Sequence, residues 1–323
     1  MGELIAEVLP RALRGVSIKQ VGDGVVLYES SAPAEVIRSL RFFNNSFLVL
    51  SLAKELPKDD PLKGLIAFVR QDPALPDLLE RIAQQGKTYG LWASVSNKMT
   101  ALTQFQREKM ERFLFTSASL RPDQKTPKQM LWLLTRAEGF GILGLRLTRQ
   151  EEKLDHELQK GELRPELAHL LCLLSEPKPT DVFLDACAGS GAIPLERARA
   201  FPFKKILAGD NDARLVAALE RQVPRKQKEI EVSEMDAQTL EGIPDRSVDA
   251  VVTDPPWGMY DAGMFDLEQF LSSLSRVCKP GARIVLLLGR TVSLPEHSKM
   301  KKRKTMDILV SGQKATVYVM EVL

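Results

Sequence analysis

The chain has 323 residues, 44% apolar and 27% charged, a balance that excludes a disordered polymer and leaves room for two or three domains. Its net charge of +3 hides an asymmetry: residues 81–150 hold 12 basic against 4 acidic residues. That suits a nucleic-acid-binding front half joined to an enzymatic back half, although a solvated positive surface reads the same way.

Cys172, Cys187 and Cys278 form neither a metal-ligand spacing nor a disulfide framework, and His156, His169 and His297 are equally scattered. No metal is expected. No apolar run approaches the roughly 18 residues of a membrane span, and the first residues carry no basic, then apolar leader. A cytoplasmic protein without a membrane partner is expected, and its oligomeric state is open.

In chain order, residues 2–13 read as a helix, followed by strands at Val16–Lys19 and Val25–Glu29, a small α/β unit over 1–60. Residues 56–76 contain Pro57, Pro61, Pro73 and Pro76 among acids, which predicts a connector. A strand at Tyr89–Val95, a helix at Leu102–Phe115 and strands at Met130–Thr135 and Ile142–Leu147 complete a second unit over 61–150. From 151 to 323, short β-branched runs alternate with helical stretches: Val182–Asp185, Lys205–Asp210, Ile230–Asp236, Val248–Asp254 and Arg283–Leu288. This βαβ rhythm predicts a parallel sheet covered by helices. Pro165 suits a first helical turn ahead of Leu167, Leu170, Leu171 and Leu174, and Asp266 can cap a helix that buries Leu267, Phe270, Leu271 and Leu274. Met306–Val310 and Ala315–Val322 close the chain as a hairpin. Five parallel strands and a closing hairpin resemble the Rossmann-like, seven-stranded class I methyltransferase fold.

Two motifs carry chemistry. Asp185-Ala186-Cys187-Ala188-Gly189-Ser190-Gly191 follows a predicted strand, where Gly189 and Gly191 let the backbone approach a ligand. Asp210 ends the next strand, 21 residues beyond Gly189, the spacing at which an acid reaches ribose hydroxyls. Asp236 ends the one after, and both acids also suit plain helix caps. A dinucleotide is the alternative ligand, but Pro194 replaces its third glycine and the charge of Asp185 would repel a pyrophosphate. An amino group and a sulfonium suit that charge better, and S-adenosylmethionine carries both.

The second motif is Asp254-Pro255-Pro256-Trp257-Gly258. It resembles the (Asn/Asp)-Pro-Pro-aromatic motif of methyltransferases acting on amines conjugated to planar rings. The lone pair of such an amine is delocalised, so the amine is a poor nucleophile. The Asp254 carboxylate and the Pro255 carbonyl can accept hydrogen bonds from the NH2, and proline offers no competing N–H. Those bonds strengthen as positive charge develops on nitrogen. Trp257 offers a face for stacking the base, worth roughly 1–3 kcal/mol.

The run Gly139-Phe140-Gly141-Ile142-Leu143-Gly144-Leu145-Arg146-Leu147-Thr148, then Gly161-Glu162-Leu163-Arg164-Pro165-Glu166-Leu167-Ala168, then the two motifs, resembles the THUMP-domain tRNA guanosine-N2 methyltransferases over roughly residues 85–290. The resemblance implies an N-terminal α+β region, ferredoxin-like then THUMP, that holds the acceptor end of a tRNA, with the first unit reduced because the front half is short. It places Asp185, Gly189 and Gly191 at the methionine moiety of the cofactor, Asp210 at the ribose and Asp236 at the adenine amine. Asp254, Pro255 and Trp257 hold the target base, and 161–168 helps close the cofactor pocket. Asp-Pro-Pro-Trp in place of Asn-Pro-Pro-Tyr leaves the modified guanosine open. Lys299, Lys301, Lys302, Arg303 and Lys304, expected beside the carboxyl edge of the sheet, and Arg136, Arg146 and Arg149 are candidate phosphate contacts. Ribosomal RNA or another amine-bearing substrate, and a non-catalytic RNA-binding factor, are the competing readings.

Overall fold

Apolar residues recur at helical spacing in α1 (Gly2–Ala12), which buries Leu4, Val8 and Leu9. An antiparallel hairpin, β1 (Ser17–Gly22) and β2 (Val25–Glu29), follows it. The computed structural model describes residues 1–22, 24–43, 45–148, 163–257, 265–289 and 292–323. Its contacts divide the chain into a first unit of Met1–Ala32, Leu40–Phe42 and Leu154–Leu323, and a second of Pro33–Ser39 and Phe43–Lys153.

The second unit contains α2 (Ala34–Arg38), β3 (Phe47–Ala53), α3 (Pro61–Gln71), α4 (Leu75–Ala83), β4 (Thr88–Val95) and the two-residue β5 (Lys98–Met99). It continues through α5 (Gln104–Ala118), β6 (Arg121–Pro122), β7 (Gln129–Thr135) and β8 (Gly141–Arg146). Its sheet runs β3-β8-β7-β4-β5, with β6 also on β4. Leu65, Val69, Leu79, Met110 and Leu114 from its helices bury one core with Leu91, Leu131 and Leu143 of the sheet.

Two expectations need correction here. Residues 56–76 are no connector: α3 occupies Pro61–Gln71 and α4 begins at Leu75. Pro61 and Pro76 sit in first turns, where no intrahelical N–H is needed, and Asp60 caps α3 by accepting the Lys63 N–H at 3.0 Å. Nor do the contacts separate at residue 60. β3 pairs with β8 some ninety residues later, whereas α1 and its hairpin belong to the unit that carries the C-terminal half.

The first unit resumes with α6 (Pro165–Leu174), β9 (Val182–Asp185), α7 (Ala192–Ala200), β10 (Lys205–Asp210), α8 (Ala213–Gln222) and β11 (Ile230–Glu234). It closes with β12 (Val248–Thr253), α9 (Leu267–Val277), β13 (Cys278–Gly289), β14 (Met300–Val310) and β15 (Gln313–Val322). Asp266 caps α9 as expected, accepting the N–H groups of Glu268 and Gln269.

The seven-stranded sheet has the order β11-β10-β9-β12-β13-β15-β14. β11 through β13 are parallel, and β15 inserts antiparallel between β13 and β14. Leu184, Val251, Ile284 and Leu286 pack one face against Phe270, Leu271 and Leu274 of α9. The strand order reverses between β9 and β12, so their carboxyl ends border a crevice of the kind that takes ligands in open α/β sheets.

Candidate active site

Asp185 is the last residue of β9 and is fully buried. Its Oδ1 accepts the Cys187 N–H at 3.3 Å, while Oδ2 is buried without a hydrogen-bond partner. Burial pushes this carboxyl up to about 7, offset in part by the Thr253 hydroxyl and the Cys187 N–H and helped by the carboxylates of Asp254 and Asp210. A buried, half-unsatisfied acid at a loop mouth is costly unless a ligand completes it.

The two glycines of the loop differ. Gly189 has φ +53°, its N–H donates to Asp210 Oδ2 at 2.9 Å, and a Cβ built there would meet nothing within 4 Å. It faces open space. Gly191 has φ +99° at the N-cap of α7, and a Cβ there would stand 2.3 Å from Leu219 Cδ1 of α8. That position holds the loop against a helix. Asp210 ends β10 and also accepts the Asp212 N–H at 3.0 Å. Asp236 lies two residues past β11, exposed, and accepts the Gln238 N–H at 2.9 Å. The structure thus brings Asp185, Gly189 and Asp210 into one cluster and sets Asp236 at the end of the strand beyond.

Next to β9, β12 delivers Asp254. Burial pushes its carboxyl up to about 7, offset by the Trp257 side chain. The Trp257 indole N–H donates to Asp254 Oδ1 at 2.8 Å. Pro255 is buried, Pro256 exposed and Trp257 half-buried, its indole lying over the end of β13 at Gly289. Gly258, Arg149, Gly161 and Glu162 lie outside the described residues.

Thr253 went unnoticed in the sequence. Its hydroxyl is buried beside the Asp185 carboxyl, whose ionised form it favours, but no hydrogen bond of normal geometry joins the two. A polar residue ending the apolar run Val248-Asp249-Ala250-Val251-Val252 was the available signal. Two buried polar clusters behind the cofactor loop were also missed. Glu196 on α7 lies 2.7 Å from His169 Nδ1 and accepts from Arg41 at 2.8 Å; although burial opposes it, these partners hold its carboxyl below the usual range. Arg197 donates to Phe201 and Pro202 carbonyls and pairs with Asp181, which also pairs with Arg283 at 2.7 Å. Both clusters fix α7, whose first turn carries the loop.

The basic run lies on the edge strand of the sheet, three strands away from β12. Lys301, Lys302, Arg303 and Lys304 are exposed on β14; Lys301 stands opposite Glu321, itself opposite Arg283 in the middle of β13, and Lys304 is level with Val285 and, beyond it, Val252. The register of the closing hairpin, invisible in a run of charges, sets them to the side of the crevice, level with the second half of β12. Arg303 pairs with Glu321 and Lys304 with Glu7. In the second unit, Arg136 bonds Asn97 and pairs with Glu138, while the Nε of Arg146 is buried without a hydrogen-bond partner. Among the described residues no group of three or more His, Cys, Asp or Glu could hold a metal, and no helix is long and apolar enough to cross a membrane.

An unsatisfied buried carboxylate oxygen beside an open glycine fits a ligand that carries a cationic donor, as S-adenosylmethionine does.

The chain is 32% identical over 162 residues to a mouse (Mus musculus) protein named tRNA (guanine(6)-N(2))-methyltransferase THUMP3, covering 42% of this chain and 29% of that one. It is 32% identical over 181 residues to a Thermus thermophilus tRNA (guanine(6)-N2)-methyltransferase, covering 53% of each. The matches thus span about a third to a half of these relatives. The crystal structure of TrmN from Thermus thermophilus shares the fold, with a TM-score of 0.71 at 24% identity, covering 100% of this chain and 96% of that one. The sheet is therefore that of a class I methyltransferase. The family described as UPF0020, RMKL-like, methyltransferase domain, matches residues 154–316, half of the chain and the segment that builds the crevice. The chain belongs to this methyltransferase family.

Proposed function

We propose that this chain transfers a methyl group from S-adenosylmethionine to the exocyclic N2 amine of a guanosine in RNA, with tRNA as the first substrate to test. In this reading Asp185, Gly189, Gly191, Asp210 and Asp236 hold the cofactor, while Asp254, Pro255 and Trp257 hold and activate the base. The unit of Pro33–Ser39 and Phe43–Lys153 acts as a THUMP-like region for the acceptor end of the tRNA.

One observation carries the reading: a fully buried acid, Asp185, ends β9, and a partly buried one, Asp254, directly follows the adjacent central strand β12, at the point where strand order reverses. One sits in a glycine loop open to a ligand, the other in an Asp-Pro-Pro-Trp turn. The names of the relatives support guanine N2 as the acceptor and RNA as its carrier.

The chemistry follows from the side chains. The cofactor supplies an electrophilic methyl group when bound. Asp185 Oδ2, unsatisfied by the chain, takes the cationic amino end, and Asp210, tied to the loop by Gly189, offers a carboxylate to ribose hydroxyls. Asp254 keeps one oxygen on the Trp257 N–H and turns the other, with the Pro255 carbonyl, toward the two N–H bonds of the amine. As nitrogen acquires positive charge, the ionised carboxylate stabilises it, and a carboxyl near 7 can accept the departing proton. A target inside a duplex would have to leave its stack at a cost of a few kcal/mol.

The test is methyl transfer from radiolabelled S-adenosylmethionine to unmodified tRNA, followed by nucleoside identification. Labelled N2-methylguanosine, lost in Asp254→Ala while cofactor binding persists, is the expected result. Label in ribosomal or small nuclear RNA alone would keep the chemistry and discard the substrate. Failure to bind S-adenosylmethionine at millimolar concentration would leave an RNA-binding factor.

A further inference from the structure

We infer that Trp257 serves the reaction through its indole N–H, as a positioning residue that fixes the Asp254 carboxylate, and not only through an aromatic face offered to the base. The inference rests on the reading of Asp254 as the acceptor for the amine. It deepens that reading by assigning Trp257 a role that a phenylalanine could not fill.

The geometry is local and two-sided. The Nε1–H reaches back three residues to Asp254 Oδ1 at 2.8 Å, a short, charge-assisted bond when the acid is ionised. On its other side the indole lies over Gly289, the last residue of β13; a Cβ built at Gly289 would stand 3.7 Å from Cβ and Cγ of Trp257 and 3.8 Å from Cδ2. The ring settles on the strand end there, where even a Cβ would make only ordinary van der Waals contact with it. Asp254 therefore does not rotate freely about its terminal bond. One oxygen is held, so the other has a defined direction for the incoming amine.

Two consequences separate this role from stacking. Removing the donor while keeping an aromatic ring frees the carboxylate and withdraws the interaction that opposes its burial, so its proton is held more tightly. Stacking alone depends on ring area, which phenylalanine largely supplies, and leaves the titration of Asp254 untouched.

The test compares wild type with Trp257→Phe and Trp257→His, the second keeping a ring N–H. In Trp257→Phe, affinity for S-adenosylhomocysteine should stay within about twofold, because none of the cofactor positions is altered. The kcat/KM for RNA should fall by about tenfold to a hundredfold, the scale of a misplaced reacting group. The ascending limb of its pH profile should move to higher pH, and Trp257→His should recover part of both losses. Trp257→Phe with wild-type kcat and an unmoved pH profile would overturn the inference.

A second measurement needs no turnover. The indole 1H–15N resonance of Trp257, assigned by its absence in Trp257→Phe, should shift with pH in the wild-type protein and stay fixed in Asp254→Asn. A resonance indifferent to pH in the wild type would overturn the inference even if methyl transfer is observed. A titrating resonance in a protein that methylates no RNA would instead uphold the Trp257–Asp254 coupling and sink the proposed function.

Discussion

At the scale of single residues, Asp185 and Asp254 pull function and stability in opposite directions. A carboxyl raised from 3.8 to about 7 by burial holds its proton in the folded state where the unfolded chain has already released it. The folded form therefore loses stability as pH rises from about 4 to about 7, the reverse of a salt-bridged acid. Asp185→Asn should consequently raise the melting temperature of the cofactor-free protein at pH 8, with the gain vanishing near pH 4. The same variant should show no melting shift on adding S-adenosylmethionine, because the ligand loses its counter-charge; calorimetry at both pH values reads both effects. For Asp254 the active form is the ionised one, so kcat/KM should climb with pH through about 7. Asp254→Asn should lower the rate by about a hundredfold and flatten that limb, while binding of S-adenosylhomocysteine changes little.

Between elements, the cofactor loop is a joint whose two glycines answer to different constraints. Gly189→Ala meets no atom of the chain and costs only its positive φ, about 1 kcal/mol, yet puts a methyl group where the ligand approaches. Gly191→Ala combines φ +99° with a Cβ 2.3 Å from Leu219, so it should cost several kcal/mol by overpacking and strain. Denaturant unfolding paired with ligand titration separates the two: the first variant keeps stability and loses affinity, the second loses both. Behind the joint, Asp181 neutralises Arg197 and Arg283 in a buried network. Asp181→Ala should destabilise the protein by about 3–5 kcal/mol, since it strands two cations.

These elements also mark what was legible beforehand. β9 and β10 were read to their last residues because an apolar run stops at a charged Asp, and those Asp are the site. Asp254 and Trp257 were found because Pro-Pro leaves a turn little freedom. The helices α3 and α4 are hidden in the sequence because proline, which breaks a helix in its interior, here stands in first turns. Thr253, Glu196, His169, Arg197 and Asp181 were missed because their partners lie far along the chain or, for Thr253, have no local signal. The charge run at 301–304 concealed an alternating strand, since long cationic side chains tolerate either face of an edge.

At the scale of the whole molecule, the sheet separates chemistry from charge. Lys302 is level with Val251 and Lys304 with Val252, but on a strand three places from β12, so the basic run lies about 14 Å to the side of the crevice. Lys301→Gln with Lys302→Gln should leave kcat/KM for RNA within about twofold. It should instead promote self-association, because charged residues guard an edge strand against pairing; light scattering against protein concentration checks this. The N-terminal helix belongs to the same unit as the sheet, and Leu9→Ala there should cost about 2–5 kcal/mol of that unit's stability.

That shared membership sets a timetable for synthesis. Residues 1–32, 40–42 and 154–323 build one unit, and the whole of the other unit is translated between the first and last of these segments. At about 5–20 residues per second, α1 leaves the ribosome on the order of ten seconds before its partners α6 and β14 exist. During that wait Leu4, Val8 and Leu9 have no core to enter, while the intervening unit can already close on itself. The nascent chain therefore carries a finished second domain and an exposed apolar helix at once, the state that chaperones bind.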